Sequence, residues 1–205
     1  MSPSTTHTTP RRGRPGYDRA TLIAECVDLF NRHGYDATSM GMLAAHLGIS
    51  KSAIYHHVDS KEAILGHALD DALAALEAAL DDVASSGGPA GSQVEAAIRG
   101  GLGVVVEKMP EVTLLLRLRG NSEVEREAME RRRSVTRRLG QMIEAAQAEG
   151  SVRTDVTPRN LARLALGMMN SIVDWYSPDG ADPGHTSVEE MVAAVTGVVM
   201  GGLRG

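Results

Sequence analysis

Apolar residues recur three and four positions apart along most of the chain, and no stretch carries a two-residue alternation that would argue for a half-buried strand. The clearest segment is 38–65, TSMGMLAAHLGISKSAIYHHVDSKEAIL. Ser39 is placed to cap a short helix, Gly48 supplies the left-handed residue that ends it, and Ser50 caps a second helix two residues later. Leu43, Leu47, Ile49, Ile54 and Val58 are spaced to meet inside the corner so formed. Ala44 and Ala53 are small enough to let the two backbones approach. The pattern predicts a helix-turn-helix.

The same periodicity predicts helices on both sides of that corner. Asp18 caps a first helix whose Leu22, Ile23, Cys26, Val27 and Phe30 make a core-facing stripe, with Gly34 as its stop. Asp59, Ser60 and Lys61 open a long helix with Leu65, Leu69, Leu73, Leu76 and Leu80 on one broad side, and 85–92 is a loop. Further helices are expected at 93–109, 111–119, 122–149, 158–176 and 187–203, with Pro158 as a first-turn residue and 177–185 as a loop. The fold class is all-α. A disordered basic arm is expected over 1–16, an N-terminal three-helix helix-turn-helix domain over 17–60 and a helical bundle over 61–205, with no true linker at the boundary.

Composition narrows the picture. The hydrophobic content of 42% suffices for a core, and 3% aromatics makes that core aliphatic and alanine-rich. The single Cys26 excludes an internal disulfide and a cysteine-based zinc site, and it falls on an apolar helix face as a packed small hydrophobe. No signal peptide or membrane span is visible, because the apolar run from Met191 is too short and too rich in glycine. A cytoplasmic protein is expected, with no cofactor and no metal. The net charge of -5 is unevenly spread: seven basic against five acidic residues through Lys61 give +2, which leaves -7 for the remainder. Nucleic-acid binding is therefore expected only at the front.

On the second helix of the corner, read as 51–58, Ala53, Ile54, His57 and Val58 face inward, leaving Lys51, Ser52, Tyr55 and His56 outside. That outer face has a cation, a hydroxyl, a phenol and an imidazole but no acid, which suits a major groove between two phosphate walls. The candidate DNA-binding set adds Thr38, Ser39, Ser50 and Lys61, the last beside free helix-start amides. Arg11, Arg12 and Arg14 form either a minor-groove arm or a solvated tail. The alternative for the whole segment is an ordinary helical corner.

This string, preceded by DRATLIAECVDLFNRHGYDA, resembles the DNA-binding domain of the TetR family of bacterial transcriptional regulators over about the first third of the chain. Phe30, Gly34, Thr38, Ala44, Gly48, Ser50, Tyr55, His57, Ser60, Lys61 and Glu62 carry the resemblance, and Val58 stands where the family usually has an aromatic residue. The resemblance implies a homodimeric repressor of double-stranded operator DNA, released by a small molecule bound in the second domain.

In the body, Arg117 and Arg119 directly follow the apolar run 112–116, so partial burial is expected, with either Glu107 or Glu111 or an anionic ligand as partner. Arg131, Arg132, Arg133, Arg137 and Arg138 follow a glutamate run and read as a solvated face, with Glu127 and Arg131 as an i,i+4 pair. Leu161, Leu164, Met168, Ile172 and Trp175 form one stripe, and the last helix is apolar on nearly every side. Two such helices from each protomer would build a four-helix dimer interface. Methionines including Met168 and Met169 are either core or a deformable ligand wall.

RLRGNSEVERE and EAAQAEGSVRTDVTPRNLARLALGMMNSIVDWYSPDG look like the branch of the family that senses acyl-coenzyme A thioesters, as in phenylacetate or fatty-acid catabolism. That resemblance implies Arg117 and Arg119 at the phosphates, Met168, Met169 and Trp175 around the acyl group, and Asn170 at the thioester. A catalytic arrangement of Ser, His and acid, a glycine-rich phosphate loop and a histidine metal pair are all missing from the sequence, which argues against an enzyme. A helix-turn-helix regulator or accessory protein answering to another hydrophobic ligand, or to none, is the competing reading.

Overall fold

Each helix of the head begins on a side-chain cap chosen by the sequence. In the computed structural model, which describes residues 17–177 and 186–204, Asp18 accepts the Thr21 amide and starts α1 (Arg19–His33). Ser39 accepts from Met42 at the start of α2 (Met40–Leu47), and Ser50 accepts from Ala53 at the start of α3 (Lys51–Tyr55). Gly48 turns the chain between them at φ 68° and ψ 29°, a left-handed geometry that a Cβ would disfavour. Ser60 then accepts from Ala63 to open α4 (Lys61–Ser86).

The head closes on one apolar cluster. Leu22, Cys26 and Phe30 of α1, Leu43 and Leu47 of α2, Ile54 of α3 and Val58 beyond it are buried together with Ile64, Leu65 and Leu69 of α4. Fully burying each such aliphatic side chain stabilises by about 1.5–3 kcal/mol before conformational entropy is counted. Leu114 and Leu115, from the body, join the cluster, so the head core continues beyond the head. Burial pushes the Cys26 thiol up to about 11, with Glu25 adding to the shift, as befits a packed and unreactive group.

The body comprises α5 (Ala90–Glu107), α6 (Met109–Leu116), α7 (Glu123–Ala148), α8 (Pro158–Ser171), a 3-10 turn (Ile172–Asp174) and α9 (Val188–Arg204). Helices α4, α5, α7 and α8 pack side by side, and α9 lies across α5 and α8. Every regular element among the described residues is helical. Several boundaries differ from the sequence expectation, and in α5 and α8 the cause lies in the body itself. Helix α5 starts three residues early because the Glu149 carboxylate, distant in sequence, accepts the Ala90 amide at 2.6 Å. Helix α8 stops at Ser171, where the backbone tightens into the 3-10 turn before Trp175.

A ladder of ion pairs joins α7 to α4. Arg131 grips Glu77 with two nitrogens, at 3.0 and 2.7 Å, and also reaches Asp70 at 2.6 Å. Arg138 pairs with Asp81. The expected Glu127–Arg131 pair along one helix is thus replaced by pairs between helices, because Arg131 points across the α4–α7 seam. Neither partner of the seam is fully buried, and each pair stabilises by no more than about 1 kcal/mol. No helix of the described residues is long and apolar enough to cross a membrane.

The last helix is buried on one side. Met191, Thr196, Val199, Met200 and Leu203 point into the protomer, whereas Ala194, Gly197, Val198 and Gly201 are exposed. On α8 the same division holds: Leu161, Ala165 and Met169 are buried, and Leu164 and Met168 face out beside an exposed Trp175. The expectation of burial on nearly every side of α9 is therefore unmet within a single chain.

Candidate functional site

Two sites emerge, one on the head and one within the body. On the head, α3 presents Lys51, Ser52 and Tyr55 to solvent with His56 just after it, while Ala53 and His57 are partly covered and Ile54 and Val58 are buried. The helix is shorter than the expected 51–58, since His57 bonds back to Ile54 through a three-residue turn. The exposed set carries no acid, and Tyr55 is half exposed (50%) with its ring outside the core. Ser39 and Ser50 spend their hydroxyls on capping, although Ser50 also lies 3.0 Å from the Ser52 hydroxyl. The arginines Arg11, Arg12 and Arg14 lie outside the described residues.

Two members of the sequence set have internal duties instead. Thr38 is buried, and its hydroxyl donates to the Gly34 carbonyl at 2.8 Å, which fixes the α1–α2 connection and withdraws the side chain from any surface. Lys61, expected beside a phosphate, is engaged inside the head instead. Its ammonium donates to the Tyr35 and Thr38 carbonyls, both at 2.9 Å, and lies 4.2 Å from the centroid of the Tyr35 ring. It acts as a clamp holding α4 to the corner. Tyr35 in turn meets Phe30 edge-on at 5.1 Å, and burial, with Glu62 nearby, pushes its hydroxyl up to about 12.

The body contains a cavity of about 1070 Å³ between α4, α5, α6, α7 and α8. Its wall is aliphatic where Leu73, Leu80, Val105, Val112, Leu139 and Met169 meet. Among the described residues, five arginines also line it, Arg132, Arg133 and Arg137 from α7 and Arg159 and Arg163 from α8, against one acid, Glu144. Arg133, Arg137, Arg159 and Arg163 are exposed and mark the open side, whereas Arg132 is half-buried. Arg133 and Arg137 share Glu130, at 3.2 and 3.0 Å, and hold its carboxyl below the usual carboxylate range. Among the described residues, Arg159 and Arg163 have no ion-pair partner. Such a cavity suits a ligand with an apolar body and an anionic end.

The structure brings together only part of the ligand set read from the sequence. Met169 and Asn170 line the cavity. Arg117 and Arg119 do not: α6 ends at Leu116, both side chains are exposed, and Arg117 donates to the Asn31 carbonyl at 2.8 Å. The acid that serves the Arg119 segment is the buried Glu125, which accepts the amides of Arg119, Gly120 and Asn121. Neither Met168 nor Trp175 lines the cavity: Met168 is on the exposed apolar face of α8, and Trp175, beyond the 3-10 turn, is exposed as well. The cavity arginines were missed as a group. Arg132 had left a signal, because it stands in register with Ala128, Val135, Leu139 and Ile143 on the buried stripe of α7.

Comparison with known proteins gives consistent matches to both halves. Residues 22–68 match the family described as bacterial regulatory proteins, tetR family, and residues 87–203 match the tetracyclin repressor-like C-terminal domain. The chain is 43% identical to SCO3833, a member of the TetR transcriptional regulator family from Streptomyces coelicolor A3. That match covers 98% of this chain and 96% of the other, with a TM-score of 0.81. AibR, solved in complex with isovaleryl coenzyme A and operator DNA, shares the fold at 23% identity and a TM-score of 0.72, over 88% of this chain and 96% of that one. A stretch of 43 residues, 21% of this chain, is 37% identical to the biofilm operon negative transcriptional regulator IcaR of Staphylococcus aureus and spans 23% of its length.

Proposed function

The chain belongs to the TetR family of bacterial transcriptional regulators, and from that premise we propose that it is a homodimeric repressor released from its operator by an acyl-coenzyme A thioester such as phenylacetyl-coenzyme A. Residues 17–60 bind DNA, with 1–16 as a basic arm, and 61–205 bind the effector and dimerise. Lys51, Ser52, Tyr55 and His56 read the major groove of each half-site, with Ser39 and Ser50 at the adjoining helix starts.

The observation that carries the effector reading is an aliphatic cavity edged by five arginines in a chain whose net charge is -5. Arg133, Arg137, Arg159 and Arg163 take the phosphates, and Met169 and Asn170 meet the acyl thioester. This replaces the assignment to Arg117 and Arg119. AibR, which binds isovaleryl coenzyme A in the same fold, supports the choice.

Calorimetric titration tests it with three compounds: phenylacetyl-coenzyme A, coenzyme A and phenylacetate. The thioester is expected to bind at least about tenfold more tightly than either part, since each part forgoes the contacts of the other. Replacing Arg159 and Arg163 together by alanine should weaken the thioester and coenzyme A but leave phenylacetate unchanged. Equal affinity for phenylacetate and the thioester would make the cavity a simple hydrophobic-acid site.

A further inference from the structure

Arg132 differs from the other arginines of the cavity wall. It is half-buried, has no carboxylate partner among the described residues, and donates one hydrogen bond to the Leu115 carbonyl at 3.1 Å. Burial, and Arg133 beside it, move its pKa down from the usual arginine value, although the group stays cationic. A single carbonyl brings no countercharge to this cation and meets one of its nitrogens, whereas a carboxylate or phosphate supplies a charge and can meet two nitrogens of the planar fork.

The acceptor is placed where cavity and head meet. Leu115 lines the cavity and is also buried in the head cluster. Helix α6, which ends one residue later, is tied to α1 from both of its ends. Arg117 donates to the Asn31 carbonyl at 2.8 Å, and the Asn31 amide group donates to the Pro110 carbonyl at 2.8 Å. Asn31 belongs to the last turn of α1, whose Phe30 and Val27 pack in the head core with α2 and α3. A change at the Leu115 carbonyl is thus one helix away from the elements that hold the recognition helix.

We propose that Arg132 is the residue through which ligand occupancy reaches the head. An anionic oxygen of the ligand, carboxylate or phosphate, takes the guanidinium from the Leu115 carbonyl, α6 shifts, and its ties at Asn31 carry the shift into α1. The inference rests on the reading that the cavity takes an anionic ligand. Binding strength and transmission are separable in it, because four other arginines remain to hold the ligand.

Hydrogen exchange on the full-length protein tests this with and without phenylacetyl-coenzyme A, coenzyme A or phenylacetate. In the wild type, ligand should alter exchange in both 109–118 and 28–34. Arg132→Met should raise the dissociation constant about tenfold, the worth of one charged hydrogen bond. At saturation it should leave 28–34 unchanged. Arg132→Lys, which keeps the charge but loses the planar fork, should show the same loss of transmission with a smaller loss of affinity. Wild-type response at 28–34 in either saturated variant overturns the proposal. If none of the three compounds binds the wild type, the acyl-coenzyme A reading fails on its own. The ligand-free comparison then decides: faster exchange of 109–118 in Arg132→Met upholds the Leu115 contact, and unchanged exchange overturns it.

Discussion

Tyr55→Ala should lower operator affinity on the order of a hundredfold or more while leaving the fold intact. The ring is half exposed and outside the head core, so its loss costs folding no more than about 0.5 kcal/mol. A base-directed contact discriminates by about 1–3 kcal/mol, and a dimer loses two of them at once. Fluorescence anisotropy on an operator selected from random DNA reads the affinity, and circular dichroism confirms the helices. Binding equal to wild type would mean that α3 is not docked through this face. Lys61→Met should behave in the opposite way. With two carbonyls and the Tyr35 ring left without their cation, about 1.5–3 kcal/mol of stability is lost and the melting temperature falls by several degrees. A variant that melts like wild type, yet binds all DNA more weakly with a smaller salt slope, would return Lys61 to phosphate contact.

The second large effect concerns assembly. Leu164 and Val198 are 66% and 63% exposed on the outer faces of α8 and α9, beside Met168, Trp175 and the small residues Ala194, Gly197 and Gly201. An apolar face of this kind is expected to be covered, and in the proposed homodimer a twofold axis would cover it with its own copy. Leu164→Glu or Val198→Glu would place two symmetry-related carboxylates in that contact, at a cost of several kcal/mol each. Analytical ultracentrifugation should then show monomer. Operator affinity should collapse as well, because two half-sites are no longer bound by one linked body. A wild-type dimer from both variants would place the interface elsewhere. Glutamate at Val199 tests something different, since that side chain is buried in its own protomer and the change would damage the fold.

The head was legible in the sequence because its constraints are local. Ser39, Gly48 and Ser50 fix the corner within a dozen residues, and the structure shows each cap and the left-handed turn where the spacing put them. The Lys61 clamp was illegible, since its acceptors are backbone carbonyls 23 and 26 residues away that no residue type advertises. In the body, adjacency misled. Arg117 and Arg119 follow an apolar run, but α6 ends at Leu116 and the chain turns outward. Met168 and Trp175 share a stripe with Leu161 and Ile172, yet the stripe is wider than the surface α8 buries, so its two edges face different partners. Which edge faces the cavity depends on how α8 is rotated against α7, and periodicity fixes only the relative positions of residues around one helix.

Coupling between the cavity and the operator asks little energetically. A ligand that prefers the DNA-free arrangement by about 2.7 kcal/mol shifts the operator equilibrium roughly a hundredfold. The direct measurement is anisotropy of the preformed operator complex as phenylacetyl-coenzyme A is added. The anisotropy should fall to the value of free operator over the concentration range in which calorimetry shows the cavity filling. An operator complex that persists with the cavity saturated would contradict the coupling.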